Sequence, residues 1–211
     1  MAGGFDLVGT RPQKSCWRNY TDFADPKSSE MLNLTPGISV NSPLALPFTK
    51  PNQLSMTTIE ICLIQWDMYN RRMQKVLDTL SVENYNKSIV PNGNSPSWLM
   101  GHLADTDDAL LELFGIGKRM FPELAKIYHH ERGTNQTGHL TKEELTTQWK
   151  AIVSKLDHTF KSMSENDWHS RHMVVTEEDF KKEPQRNKLN VMLSRVSHKA
   201  SHLGQVAMQN T

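Results

Sequence analysis

The chain has 211 residues, 24 Lys and Arg against 23 Asp and Glu, and two cysteines. A balance this close to neutral lacks the clustered basic excess of a nucleic-acid footprint, and no apolar stretch approaches the ~20 residues that a membrane-spanning helix needs. Cys16 and Cys62 offer at most one bridge, so both read as thiols of a reducing, cytoplasmic compartment, with Cys62 as a core filler.

Six of the ten prolines, Pro12, Pro26, Pro36, Pro43, Pro47 and Pro51, precede Met56, and no part of that stretch keeps a helical or strand period for long. Residues 1–55 are therefore expected to be a disordered or loosely packed extension, and residues 56–211 a single domain. The best apolar run of the extension, ISVNSPLALPF, is broken by Asn41 and two prolines and follows no basic segment, unlike a signal peptide. Asp6, Asp22, Asp25 and Glu30 contradict a transit peptide. Met56 is a candidate natural start, which peptides upstream of it in a mass spectrum of the native N-terminus would exclude.

Four helical patterns follow. The first spans Thr57–Leu80 and is apolar on several faces in its early half, with Ile61, Leu63, Ile64 and Trp66. The second has Ser95 as N-cap, Pro96 at the first helical position, Leu99, Leu103, Leu110, Leu113 and Phe114 on one face, and a stop at Gly115-Ile116-Gly117. His102 lies about 80° from the centre of that stripe, a half-buried boundary position. Asp105 and Asp108 on the same helix are the nearest candidates for a general acid or base, and Asp105 could hydrogen-bond a ligand imidazole. Negative charge in the first half of a helix nevertheless reads first as a solvated acidic face. Trp98 reads as core at the bundle end.

Residues 116–140 are too long for a tight connection, and the histidines there, His129, His130 and His139, read as exposed loop residues, with an added ligand or a gate as the alternative. The third helix opens at Thr141 with Glu144 three residues on, a capping box, and carries Leu145, Trp149, Ile152, Val153, Leu156, Phe160 and Met163. His169 and His172 beside Trp168 read as a packed connector, and HMVVT at His172–Thr176 as a short extended piece. The fourth helix, Leu189–Gln209, has Asn187 as N-cap behind Pro184.

The fourth helix carries His198 and His202 four residues apart, so both lie on one face, close enough to share an ion. Its apolar stripe, Leu189, Met192, Leu193, Val196, Ala200, Leu203 and Ala207, has the two histidines roughly 130–170° from its centre. A solvated pair is the plain reading. Val191 and Val206, on the histidine side, point instead to a helix covered on more than one face.

The run SPSWLMGHLADTDDALLELFG resembles the second helix of DinB-like (YfiT-like) proteins, and VSHKASHLGQVAM resembles their last helix, with its H-x3-H followed by Gly-Gln. The resemblance covers Thr57 to Met208 and keeps the order, one His on the second helix and two on the fourth. It implies an all-α fold, a four-helix bundle of the DinB/YfiT type, with a mononuclear divalent metal, zinc or nickel, on His102, His198 and His202. It also implies a homodimer and a small-molecule substrate. Some members of the family work on a low-molecular-weight thiol, so such a thiol is an expected cofactor.

Three neutral imidazoles leave a cation's charge unneutralised, which lowers the pKa of a bound water or thiol and makes the centre an activator of a small nucleophile. Thiol transfer and hydrolysis stay equally open, and no catalytic residue is assigned. A metal-binding or stress-associated bundle without catalysis is the alternative. A zincin-type protease is disfavoured, because His130-Glu131 is followed by Thr134 where HExxH needs a second histidine.

Overall fold

The computed structural model describes residues 56–91, 93–129 and 138–208. The expectations for residues 1–55 and for His130 lie outside these. Among the described residues there are helices and no strand: α1 (Thr58–Thr79), α2 (Val82–Asn86), α3 (Pro96–Leu113), α4 (Glu123–Tyr128), α5 (Lys142–Ser162), α6 (Glu165–His169), α7 (Glu177–Lys182) and α8 (Lys188–Ala207).

The long helices begin where local chemistry satisfies their free N–H groups. At α1 the Glu60 N–H donates to Thr57 Oγ1 at 3.2 Å and the Thr57 N–H to Glu60 Oε2 at 2.7 Å. Thr141 and Glu144 repeat this capping box at α5. Ser95 Oγ accepts from the Trp98 N–H ahead of α3, and Asn187 Oδ1 from the Asn190 N–H ahead of α8. Each cap contributes about 1 kcal/mol and sets the start of its helix. At the far end of α3, Gly115 takes φ 69°. Its N–H donates to Glu112 O at 3.0 Å and that of Ile116 to Leu111 O at 2.9 Å, the left-handed stop that a residue without a Cβ adopts at little cost.

Helix α1 packs on α8 and α5, and α3 packs on the same two, which closes a four-helix bundle. The core is built from the inward stripes, among them Trp66, Met73 and Leu77 of α1, Leu99, Leu103 and Leu110 of α3, Leu145, Ile152 and Leu156 of α5, and Met192 and Leu203 of α8. Toward the C-terminal end of α3, Phe114, Phe160 and Trp168 meet in tilted and edge-to-face pairs 5.4–6.0 Å apart, and Trp66 meets Phe160 edge-on at 5.7 Å. Cys62 is buried in the core, and burial pushes its thiol up to about 11, an unreactive filler.

Two features depart from the sequence reading. His172–Thr176 is a turn: the Met173 N–H donates to Leu113 O and the Val175 N–H to His172 O, which leaves Met173 and Val174 exposed and buries Val175. The one pairing nearby is an isolated antiparallel bridge between Arg171 and Asn187. In α8, Leu193 is 42 % exposed, whereas Arg195, Lys199 and Val206 are buried with Leu189, Met192, Val196 and Leu203. The buried face is thus turned by about 60° from the apolar stripe toward the histidines, because two cations with partners inside the bundle count as interior.

Candidate metal centre

Helix α3 is covered almost all round. From Ser95 to Asp108 every residue is buried except His102, which is half-buried, so its ring lies at the one opening in that stretch. The rotation of α8 brings His198 and His202, also half-buried, to the same place. His102 Nε2 lies 3.2 Å from His198 Nε2, and one ring nitrogen from each of the three histidines falls within 4.8 Å of the others. The positions that the sequence singled out are therefore together in space. They are not a solvated pair plus a separate boundary residue.

Neighbouring groups decide which nitrogen of each ring carries a proton. His102 Nδ1 is 3.0 Å from the backbone oxygen of Tyr128, which only accepts, so Nδ1 donates and Nε2 presents its lone pair. His202 Nδ1 donates to Gln205 Oε1 at 3.1 Å, and its Nε2 is likewise left with a lone pair. Nδ1 of His198 is buried without a hydrogen-bond partner. With the lone pair of His102 facing it at 3.2 Å, His198 Nε2 has two ways to be satisfied: it carries a proton between them, or a cation takes both lone pairs. The second option suits a site where three imidazoles converge.

Burial, more than any neighbouring charge, holds all three imidazoles neutral, with His102 pushed down to about 4, His198 to about 2 and His202 lowered. His202 and Arg195 lower His102 and His198 further, while the Tyr128 carbonyl and Asp105 pull His102 the opposite way. Neutral imidazole is the form that ligates.

These shifts carry a pH dependence of stability for the metal-free protein. The unfolded chain takes up protons at its histidines near pH 6.5, whereas folded His102 does so only near pH 4, so the unfolded state binds more protons throughout that window. Stability is level above pH 6.5 and falls as pH drops toward 4, by about 1 kcal/mol per pH unit for each such histidine. Urea midpoints measured after chelation should show this slope, and His198→Asn should flatten it. A midpoint independent of pH over that range would contradict the burial described here.

The ring of His102 is fixed on two sides. Trp98 stacks on it at 4.9 Å between centroids and 6° between planes, so this tryptophan is core, as expected, and also a wall of the site. The Tyr128 carbonyl holds its edge. Tyr128 ends α4, is fully buried, and its hydroxyl accepts from the Leu140 N–H at 2.8 Å. Its ring lies against Gly101, where a Cβ would overlap it. Gly101→Ala should therefore cost about 1–3 kcal/mol of stability by forcing Tyr128 away. The 15N resonance of His102 Nδ1 should move with it, because the carbonyl leaves. An unchanged resonance would mean that another group orients the ring. The sequence reading missed Tyr128, although the i, i+4 pair Leu124 and Tyr128 marked a short amphipathic turn within the long loop.

Asp105 and Asp108 do not form a solvated face. Both are buried with partners from the α3–α4 segment. Asp105 is ion-paired with Arg119 and lies 3.4 Å from His129 Nδ1, and Asp108 accepts from the Met120 and Phe121 N–H groups. Neither hydrogen-bonds a member of the triad. His129 is exposed but tied to Asp105, and His139 is half-buried with Nδ1 3.0 Å from Ser97 Oγ. They hold the segment that carries Tyr128 and do not join the three imidazoles.

A protein-family model described as the DinB superfamily matches residues 65–206. Among solved structures, a conserved protein from Enterococcus faecalis has a TM-score of 0.52, with 17 % identity, over 74 % of this chain and 96 % of that one, a likeness of fold. No curated protein matches the chain. No helix among the described residues is long and apolar enough to cross a membrane.

Proposed function

The chain belongs to the DinB superfamily, and on that premise we propose that it is an enzyme that holds a divalent cation, zinc or nickel, on His102, His198 and His202 to activate a low-molecular-weight thiol or water. The observation that carries this is the convergence of three neutral imidazole nitrogens within 4.8 Å. Among the described residues no fourth His, Cys, Asp or Glu joins the group, which supports a centre with positions left for a small molecule, unlike the closed four-ligand arrangement of a structural zinc. Bound there, such a cation would supply a Lewis acid that lowers the proton affinity of an incoming nucleophile. Both zinc and nickel accept imidazole, and both accept thiolate.

The chain's own residues prepare the site. Tyr128 O and Gln205 Oε1 set the tautomers of His102 and His202, Trp98 limits rotation of the His102 ring, and burial keeps the imidazoles unprotonated at neutral pH. Asp105 is occupied by Arg119 and His129, so the proton released by the nucleophile is not assigned to it. Elemental analysis of protein purified without a histidine tag should find about one zinc or nickel per chain, the single-ion case of a three-ligand site. A screen of low-molecular-weight thiols against electrophilic acceptors should then find turnover that a chelator abolishes. Metal-free protein after purification and after reloading would overturn the proposal.

A further inference from the structure

Two carboxylates of α3 fasten both ends of α4. At its entry, Asp108 accepts from the Met120 and Phe121 N–H groups at 2.8 and 3.0 Å, and Arg119 is ion-paired with Asp105 and donates to the Asp105 backbone oxygen at 3.3 Å. At its exit, His129 Nδ1 lies 3.4 Å from Oδ2 of Asp105. Asp105 is fully buried and the Arg119 side chain 17 % exposed. Water is a poor substitute for either partner there, so the carboxylate keeps Arg119 and His129 in place.

The exit contact bears on the metal centre through one peptide. The carbonyl that takes the His102 Nδ1–H belongs to the planar unit joining Tyr128 to His129, so a fixed His129 also fixes the direction of that oxygen. Tyr128 ends α4, where a helix leaves its last carbonyls for partners outside itself. On α3, Asp105 follows His102 by three residues, and the two side chains share a face. They meet consecutive residues of α4 and its cap, His102 at Tyr128 and Asp105 at His129. Without the Tyr128 carbonyl, nothing at Nδ1 would decide which nitrogen of His102 holds the proton. An Nε2–H would then turn a donor, in place of a lone pair, toward His198 Nε2 at 3.2 Å.

We propose that Asp105 is a positioning residue of the metal centre: through Arg119 and His129 it seats the end of α4, and the Tyr128 carbonyl so seated keeps a lone pair on His102 Nε2 for a cation. This role rests on the metal reading above, although the state of the His102 ring is observable without a metal.

Nitrogen-15 spectra of metal-free wild type should show His102 protonated at Nδ1 and not at Nε2. Asp105→Asn keeps the shape of the side chain and removes its charge, and the opposite tautomer should then appear at His102 but not at His202, whose Nδ1 is held by Gln205. Zinc affinity should fall about tenfold, the low end for loss of an outer hydrogen-bond partner. Arg119→Gln should move the same resonances in the same direction, and it carries the test if Asp105→Asn does not fold. Phe160→Leu, a core change among Trp66, Phe114 and Trp168, should leave the tautomer and the affinity as they are. An unchanged His102 tautomer in the folded Asp105 and Arg119 variants would overturn the proposal whatever the metal does. So would an equal change in Phe160→Leu, which would trace the effect to general loosening, or unchanged zinc affinity beside a changed tautomer. A wild type that binds no zinc overturns the metal reading, while the tautomer change still upholds the seating of His102 by Asp105.

Discussion

His198→Ala is expected to lose more than about 100-fold in affinity for zinc or nickel, beyond the 10–100-fold typical for loss of an outer hydrogen-bond partner. The three rings form a compact triangle, with centroids 5.0 Å apart for His102 and His198, 4.5 Å for His198 and His202 and 5.4 Å for His102 and His202, so removal of His198 leaves two ligands where three converged. The bundle should stay folded. The four helices hold together through a core of Leu, Ile, Met and aromatic side chains to which His198 does not belong, and the substitution removes a half-buried imidazole whose buried Nδ1 lacks a partner. Gln205→Ala should be milder, about tenfold, because it frees the tautomer of His202 without deleting a ligand. Metal content by elemental analysis together with circular dichroism separates the cases. Full occupancy in the triple alanine variant would refute the site, and collapse of the fold along with loss of the metal would make the ion structural.

The second large effect lies one residue on. Lys199 is 1 % exposed, its Nζ 2.7 Å from Oδ2 of Asp107, which is fully buried; it also donates to Asn70 Oδ1 and sits 3.5 Å over the Trp66 ring. This one cation therefore links α8 to α3 and α1. Burial pushes Asp107 up and Lys199 down, each toward neutrality, and the attraction between them opposes both shifts. Lys199→Ala leaves a buried carboxylate without its main partner and should cost about 3–5 kcal/mol, a fall in Tm of about 10 °C.

The sign of its pH dependence follows from Asp107. In the variant its folded pKa stands above the unfolded value near 3.8, so the folded state binds the proton first and the deficit relative to wild type shrinks as pH falls. The paired change Lys199→Met with Asp107→Leu removes both charges and should be close to neutral in stability. A Lys199→Ala loss below 1 kcal/mol would show that water reaches Asp107.

How far the sequence reading reached depended on how local each determinant was. The starts of α1, α3, α5 and α8 follow from Thr57 with Glu60, Ser95 with Pro96, Thr141 with Glu144, and Asn187, all of which act within one turn. The stop of α3 follows from Gly115. These helices carry the stripes that can only be buried against one another, and a bundle follows. His102 on the second long helix and His198 with His202 on the last were visible as candidates for the same reason.

Helical periodicity alone did not bring the three imidazoles together, because it values each residue by its own hydropathy. It put Leu193 inward and left Lys199 outside, and it placed Asp105 and Asp108 in water. In the fold the partners of these charges come from afar in sequence: Asn70 for Lys199, 129 residues away, Arg119 for Asp105, 14 residues away, and the Met120 and Phe121 amides for Asp108. A charge becomes an interior residue only once its counterpart is in place. What the sequence determined by itself was therefore the helices, their caps and the histidines they carry. The rotation of α8 about its axis and the tautomer set on His102 by a carbonyl from α4 were decided by tertiary structure alone, since each depends on groups that meet only when the bundle closes.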